Sequence, residues 1–377
     1  VAYTNGESET TRYEYDAKGN LVTVIQPNGN VINYFYDKMD RIQQLTDNIG
    51  LIAEYTYDGN GNTLSVTDGL QRTISYHYDA LNRLISEVLP SGATTQYQYD
   101  NNSNILSLTD AAGGKSLYTY SSLNQLLSHT NALNAKTQYE YDGNGNLVKA
   151  IDAKGNATTY TYDALNRNTV ISFANGLSMQ YTYDAVGNII SSKDRAGQET
   201  RYTYNVLGDI LTKIYPDGTK DIYTYDAISR MLTAVNQHAT INFAYDKVGR
   251  LLSETLNGKT TAYQYDIAAG KRTLIYPSGM KIDEMLNARD MISSILQNGE
   301  EVVSMAYNIA GQKTQQIYAN GISTQYGYNA NGWIQSIQDN RNVVDWVMSY
   351  DVLGNIIKRD NLLNANLTEV NTFSMEK

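Results

Sequence analysis

Along most of this chain, polar and apolar residues alternate in stretches of about seven, as in Thr158-Thr159-Tyr160-Thr161-Tyr162 and Asn188-Ile189-Ile190-Ser191-Ser192. A period of two places successive side chains on opposite faces of a strand. The stretches are rich in Tyr, Thr, Ile, Leu and Val, which suit a pleated, half-buried surface. Two kinds of turn separate them. One begins at an Asp and closes on Gly or Asn, as in Asp16-Ala17-Lys18-Gly19, Asp79-Ala80-Leu81-Asn82, Asp163-Ala164-Leu165-Asn166 and Asp184-Ala185-Val186-Gly187. This predicts a type I turn with a G1 bulge, in which the carboxylate accepts from the backbone two residues on and Gly or Asn tolerates a positive φ. The other is Pro-x-Gly or Ala-x-Gly, as at Pro27-Asn28-Gly29, Pro90-Ser91-Gly92, Ala174-Asn175-Gly176 and Pro216-Asp217-Gly218. All four prolines fall at this second turn, where their fixed φ suits the first central residue.

The two turns recur together. Aligned on Tyr-x-Tyr-Asp, the Asp stands at 16, 37, 58, 79, 100, 142, 163, 184, 226, 246, 266 and 351, with Ser121, Asn205, Asn287, Asn308 and Asn329 in the equivalent place. That makes 17 units, spaced 21 residues apart except for two steps of 20 and one of 22. Of 33 tyrosines, 29 occupy one of the two motif positions; Tyr3, Tyr215, Tyr276 and Tyr318 do not. The two tyrosines of each unit share a face, and the residue between them, such as Glu14, Thr56, Gln98 or Thr161, takes the other. The residues expected to define the repeat are Tyr13, Tyr15, Asp16, Tyr76, Tyr78, Asp79, Tyr160, Tyr162, Asp163, Tyr181, Tyr183 and Asp184, with Gly29, Gly92, Gly176 and Gly218 at the second turn. Their expected role is architectural: tyrosines stacked between units, aliphatic residues such as Leu21, Leu84, Leu147, Ile189 and Leu251 interleaved from the partner strands.

Two turns per unit make two strands per unit, so the expected fold class is all-β: tandem 21-residue β-hairpin repeats forming one long, curled, spiralling antiparallel sheet. At 4.8 Å per strand the sheet would run about 160 Å, and open twisted sheets of more than about ten strands curl. Closed once into a ring, that length gives a diameter of about 50 Å, too wide for side chains to fill. A hollow wall, complete or in part, is the expectation. No linker breaks the register between Tyr13 and Asp351, so residues 1–351 read as the repeat array and 352–377 as a degenerate continuation in which a further repeat begins.

Composition narrows the function. A net charge of −10 repels phosphates, which argues against nucleic acid. No run of eighteen apolar residues is present to span a bilayer as a helix. With no cysteine there is neither a disulfide framework nor a thiolate metal site. The first residues carry no signal-peptide pattern, and since the chain opens and closes inside the repeat it reads as a piece of something longer.

Candidate chemistry is thin. Asp58-Gly59-Asn60-Gly61-Asn62 and Asp142-Gly143-Asn144-Gly145-Asn146 resemble the start of a calcium loop. The sixth place is Thr63 or Leu147 and the twelfth Gly69 or Ala153, which an EF-hand does not allow, and both sit in the Asp-turn register. His77, His129 and His238 occupy three different repeat positions. No Gly-x-Ser-x-Gly elbow occurs, and evenly spaced turn aspartates single out no carboxylate pair for glycoside cleavage. The expectation is no catalytic residue, no metal and no cofactor.

The unit Tyr-x-Tyr-Asp-Ala-x-Gly-Arg/Asn-Leu, followed by Pro/Ala-x-Gly, resembles the YD repeat of Rhs proteins, the B and C components of Tc toxins, wall-associated polymorphic toxins and the teneurins. The resemblance implies a secreted or cell-surface β-shell that encloses a C-terminal toxin or effector polypeptide, with adjoining shell modules as partners. The bacterial relatives carry an Asp-Pro-x-Gly-like self-cleavage segment; this chain has no Asp-Pro pair, and a candidate eighteenth unit starts at Phe373-Ser374-Met375-Glu376. The competing reading is adhesion or carbohydrate binding, since exposed tyrosines stack on sugars and animal relatives are adhesive; glycans would then be the partner. From Asn287 onward the motif tyrosines give way to Glu284, Leu286, Met305 and Met348, and Trp333 and Trp346 appear. That end is expected either to have drifted or to meet a cap, a module or cargo.

Overall fold

The structure, a computed structural model, describes residues 1–363 and the backbone of 369–370. Among the described residues there are thirty-six strands and no helix. Each strand pairs antiparallel with the next in the chain, from Ala2–Thr4 against Thr10–Tyr15 to Ile356–Asn361 against Glu369–Val370. The expected all-β sheet of tandem hairpins is what forms, and it is unclosed.

Both turns adopt the loop anticipated for the first. At Asp16 the amide donates to the Asn20 carbonyl at 2.9 Å, and Gly19, at φ 94°, donates back to the Asp16 carbonyl at 3.1 Å. At the second turn Gln26 and Gly29 repeat the pattern toward Asn30 and Gln26, with Pro27 as the first central residue. Asn82, Asn124 and Asn166 hold the left-handed place near φ 60° where glycine is absent. All Asp-closed turns therefore lie along one rim of the sheet and all Pro/Ala-x-Gly turns along the other.

A second irregularity was not foreseen. In sixteen of the seventeen Asp-closed hairpins the register shifts just before the second motif position, as where Thr161 faces Val170 but Tyr162 faces Asn168; the exception is the hairpin closed by Asp266. A bulge bends its strand and raises the local twist. Repeated at one place in nearly every unit, it gives the sheet a steady curvature of one sign.

That curvature brings the sheet back on itself. Glu7 meets Lys247, Glu9 meets Arg250, Asp47 meets Arg289, Arg72 meets Gln312 and Ser91 meets Asn331, contacts separated by 240 to 242 residues. One revolution thus takes twenty-three strands, from Thr10–Tyr15 to Thr240–Tyr245. At the usual strand spacing this is a circumference of about 110 Å and a diameter of about 35 Å. The single ring of about 50 Å is corrected to a tighter coil of roughly one and a half turns, because the bulges and not the chain length set the curvature.

No thick core forms. Val24, Val303 and Met348 are the buried apolar residues among those described, and the motif tyrosines are mostly half-buried. The accessible surface is 22087 Å² for 42.0 kDa, against about 15,000 Å² for a compact domain of that mass. A single-layer wall exposes both faces and accounts for the excess.

Candidate functional site: the lateral ladder and the seam

Each unit is tied to the next by three side chains. The Asp163 carboxylate caps its own turn, accepting from the amides of Leu165 at 2.9 Å and Arg167 at 3.0 Å. Arg167 grips the other carboxylate oxygen through Nε and Nη2, both at 2.7 Å. Its Nη1 then crosses to the carbonyl of Asp184 in the next unit at 2.8 Å, and its guanidinium lies 4.7 Å from the Tyr183 ring centre. The second tyrosine completes the tie: Tyr183 donates to the Asn168 carbonyl and Tyr162 to the Leu147 carbonyl, fifteen residues back. Arg41, Arg83 and Arg230 repeat the carbonyl bond and the ring contact. Where Asn replaces Arg, the amide bridges the turns instead, as Asn146 does from Asp142 to Asn166 at 2.9 and 2.8 Å.

These bonds polarise the titratable groups. Bonds from Asn20 hold the Asp16 carboxyl below the usual carboxylate range, and those from Arg83 and Arg167 do the same for Asp79 and Asp163. At Asp184 burial pushes upward, but the bonds from Asn188 and the turn amides outweigh it. Desolvation raises the phenols of Tyr76, Tyr78, Tyr162 and Tyr183. Tyr223 is pushed up to about 12 by desolvation and by the Asp221 charge, to which it donates at 3.2 Å.

The seam is the other constellation. Here Asp-closed turns of the second revolution sit on Pro/Ala-x-Gly-type turns of the first. Arg289 clasps Asp47 through Nε and Nη2, the latter 2.8 Å from Oδ1, while its Nη1 reaches the Ile309 carbonyl. The Asp47 side chain is 1% exposed; burial raises its carboxyl, and the Arg289 bond with the amides of Ile49 and Gly50 more than reverses this. Arg250 reaches Glu9 at 2.6 Å, and the Lys247 amide donates to Glu7 at 2.9 Å. Ile309 fills the notch between two turns, where a Cβ on Gly50 would come within 2.7 Å of it.

The teneurin YD-shell family matches residues 62–205 and 114–239, and the RHS repeat matches 1–31 and 15–48. The chain belongs to the YD/Rhs-repeat family. No curated protein matches it. Among solved structures, the YD/Rhs chain is similar to the crystal structure of TcdB2-TccC3-TEV, at 12% identity and a TM-score of 0.67, over 95% of this chain and 25% of that one. Similar too are TcdB2-TccC3-Cdc42, at 15% and 0.58 over 93% and 23%, and a Photorhabdus luminescens Tc holotoxin pore, at 15% and 0.53 over 93% and 24%. At these identities the likeness is one of fold, and the chain spans about a quarter of the length of those chains.

Within the YD/Rhs wall the expected repeat residues fall in register. Tyr76, Tyr78, Tyr160, Tyr162, Tyr181 and Tyr183 are half-buried on alternate strand positions, with exposed residues between. Tyr13 is half-buried, whereas Tyr15 is 51% exposed. Gly29, Gly92, Gly176 and Gly218 all stand at φ 80–86° and close the second turn. The calcium-like loops are ordinary turns: the Asp58 carboxylate accepts from the amides of Asn60 and Asn62 and from the Asn62 side chain. The histidines stay on separate elements; His129 stacks on Tyr118, 4.9 Å between ring centres. The candidate eighteenth unit at Phe373 lies outside the described residues.

What sequence reasoning missed is the lateral role of the unit's Arg or Asn, which recurs at 20, 41, 62, 83, 104 and 146. Trp333 takes the same place in its unit and packs on Tyr350, 5.2 Å between rings, so it continues the ladder with a ring in place of a guanidinium. The tail expected to meet a cap or cargo, or to have drifted, meets the first revolution of its own wall.

Proposed function

We propose that this chain is a segment of a non-catalytic shell wall, in a secreted or cell-surface protein, that encloses a toxin or effector polypeptide. Residues 1–351 are its repeat array and 352–377 the continuation. The observation that carries the reading is the seam: a one-layer sheet that coils and locks onto its previous turn separates an inside from an outside, which neither an enzyme cleft nor a flat adhesive surface requires. The repeat residues are taken up by architecture, their carboxylates by turn amides and many phenols by backbone carbonyls. This also weighs against the sugar-binding reading, for phenol protons donated to wall carbonyls are not free for a glycan. Function then follows from what the wall surrounds and not from a reactive group on it.

Negative-stain imaging of the protein tests the wall: a hollow coil is expected, and a solid globule or straight rod would defeat the reading. Enclosure is tested by limited proteolysis of the full-length protein. A cargo polypeptide digested as fast inside the wall as when free would reject it.

A further inference from the structure

The phenols of the wall have two kinds of acceptor. Eleven of them, from Tyr36 to Tyr350, donate to backbone carbonyls. Tyr215 and Tyr223 donate instead to a single carboxylate oxygen, Asp221 Oδ2, at 2.6 and 3.2 Å, and among the described residues no other phenol bonds a carboxylate. The sequence sets this place apart from its repeats. Asp221 stands where other units carry Thr137, Thr158 or Thr200, and Tyr215 is one of the four tyrosines outside the motif. Alternation along Lys220–Tyr225 puts Asp221 and Tyr223 on one face, and the pairing sets Lys213 opposite Asp221. Tyr215 opens the Pro216 turn beside them, with Lys213 Nζ 4.6 Å from its ring centre, and all four residues are half-buried.

The two acceptors differ in what they let a phenol do. A phenol that loses an electron becomes a strong acid, and a neutral carbonyl cannot take its proton, so a positive charge would be left on a half-buried ring. A carboxylate within hydrogen-bond reach takes the proton as the electron leaves, and no charge develops on the ring. At Tyr215 the Lys213 ammonium adds to the cost of a ring cation, which leaves proton transfer to Asp221 as the open route.

We infer that Tyr215 and Tyr223, bridged by Asp221, are the site at which this wall is oxidised: a one-electron oxidant from solvent takes its electron from one of these rings, the phenol O–H bond breaks, and the proton passes to Asp221 Oδ2. The products are a neutral tyrosyl radical, a neutral carboxylic acid and the reduced oxidant. Tyrosines tied to carbonyls keep both electron and proton. The inference does not depend on what the wall surrounds.

Photogenerated tris-bipyridine ruthenium(III), in substoichiometric amount with a nitroso spin trap, tests this on the whole chain, and peptide mass mapping reads which rings carry the trap. Adducts are expected first at Tyr215 and Tyr223, ahead of Tyr3 and Tyr15, which are 62% and 51% exposed. Asp221→Asn keeps a hydrogen-bond acceptor but removes the base, and is expected to lower the yield at both rings several-fold. Should that variant misfold, Tyr215→Phe decides: the adduct is expected to pass to Tyr223, on the same carboxylate. Adducts that follow exposure in the parent, a yield unchanged in Asp221→Asn, or transfer to Tyr3 and Tyr15 in Tyr215→Phe would overturn the site.

Discussion

Two rows of Asp-closed turns in one wall, 246–332 and 79–228, share a loop and differ in their tips. In six of its eight turns the open row places an aliphatic residue just before the left-handed one, at Leu81, Leu123, Leu165, Val186, Leu207 and Ile228, while the docked row carries Arg289, Ile309 and Asn331. In the open row each arginine serves its own sheet, tying Asp163 to the next unit. At the seam Arg289 stands two places earlier, at the tip, and ties one revolution to another, while Arg250 keeps the lateral place and reaches Glu9 from there. Lateral and vertical cohesion thus come from the same residue type at two places of one turn.

The comparison is broken most forcefully at Arg289. Arg289→Ala leaves the Asp47 carboxylate buried without its cation, and a loss on the order of 3 kcal/mol is expected in denaturant unfolding. Hydrogen exchange should quicken in the strands Ile42–Thr46, Leu51–Tyr57 and Ile292–Gln297 and stay unchanged near Ala157–Tyr162. A uniform change across the sheet would mean that the seam is not a separate unit of stability.

Within a revolution the ladder should respond next. Tyr162→Ala removes a half-buried ring and is expected to cost about 2 kcal/mol, less than truncating a fully buried aromatic. Tyr162→Phe removes only the bond to the Leu147 carbonyl and should cost about 1 kcal/mol. Thermal melts of the two variants separate ring packing from the hydroxyl. Equal losses would discount the ring.

Titration tests the ladder everywhere at once, and the direction follows from linkage. The turn carboxyls have folded pKa values below the ordinary 3.8, so their contribution is present above that value and is lost as pH falls through the folded values. The phenols are raised above 10.0, so theirs is present below pH 10 and is lost as pH rises through the folded values. Melting temperature against pH should show a plateau bounded by both falls. Stability that held into strong alkali would contradict the buried phenols.

The smallest effect belongs to the open row. Leu165→Ala, at a tip 66% exposed, should change the stability of the monomer by about 0.5 kcal/mol or less. A larger loss measured on dilute protein would show that the tip is already packed.

Much of this was legible in the chain. The Asp-x-x-Gly/Asn and Pro-x-Gly signals act over five residues, so the turns and strands they bound follow from local chemistry, as Asp16 and Pro27 show. The lateral arginines repeat just as strictly, yet their partners are a carbonyl seventeen residues on and a ring in the next hairpin, and no pattern in one unit names them. The calcium-like Asp58 loop shows the reverse: a sequence resemblance whose oxygens the turn itself engages.

The sequence by itself determined the unit: two strands, two turns, a tyrosine pair and a 21-residue period, because each rests on φ preferences and alternation that neighbouring residues fix. The radius was decided by the tertiary structure. A bulge beside the second tyrosine adds a small bend in nearly every hairpin, and only their sum sets the distance at which residue 47 meets residue 289. Which turns are covered and which remain open depends on that sum, since a contact 242 residues away is a property of the whole coil and of no segment within it.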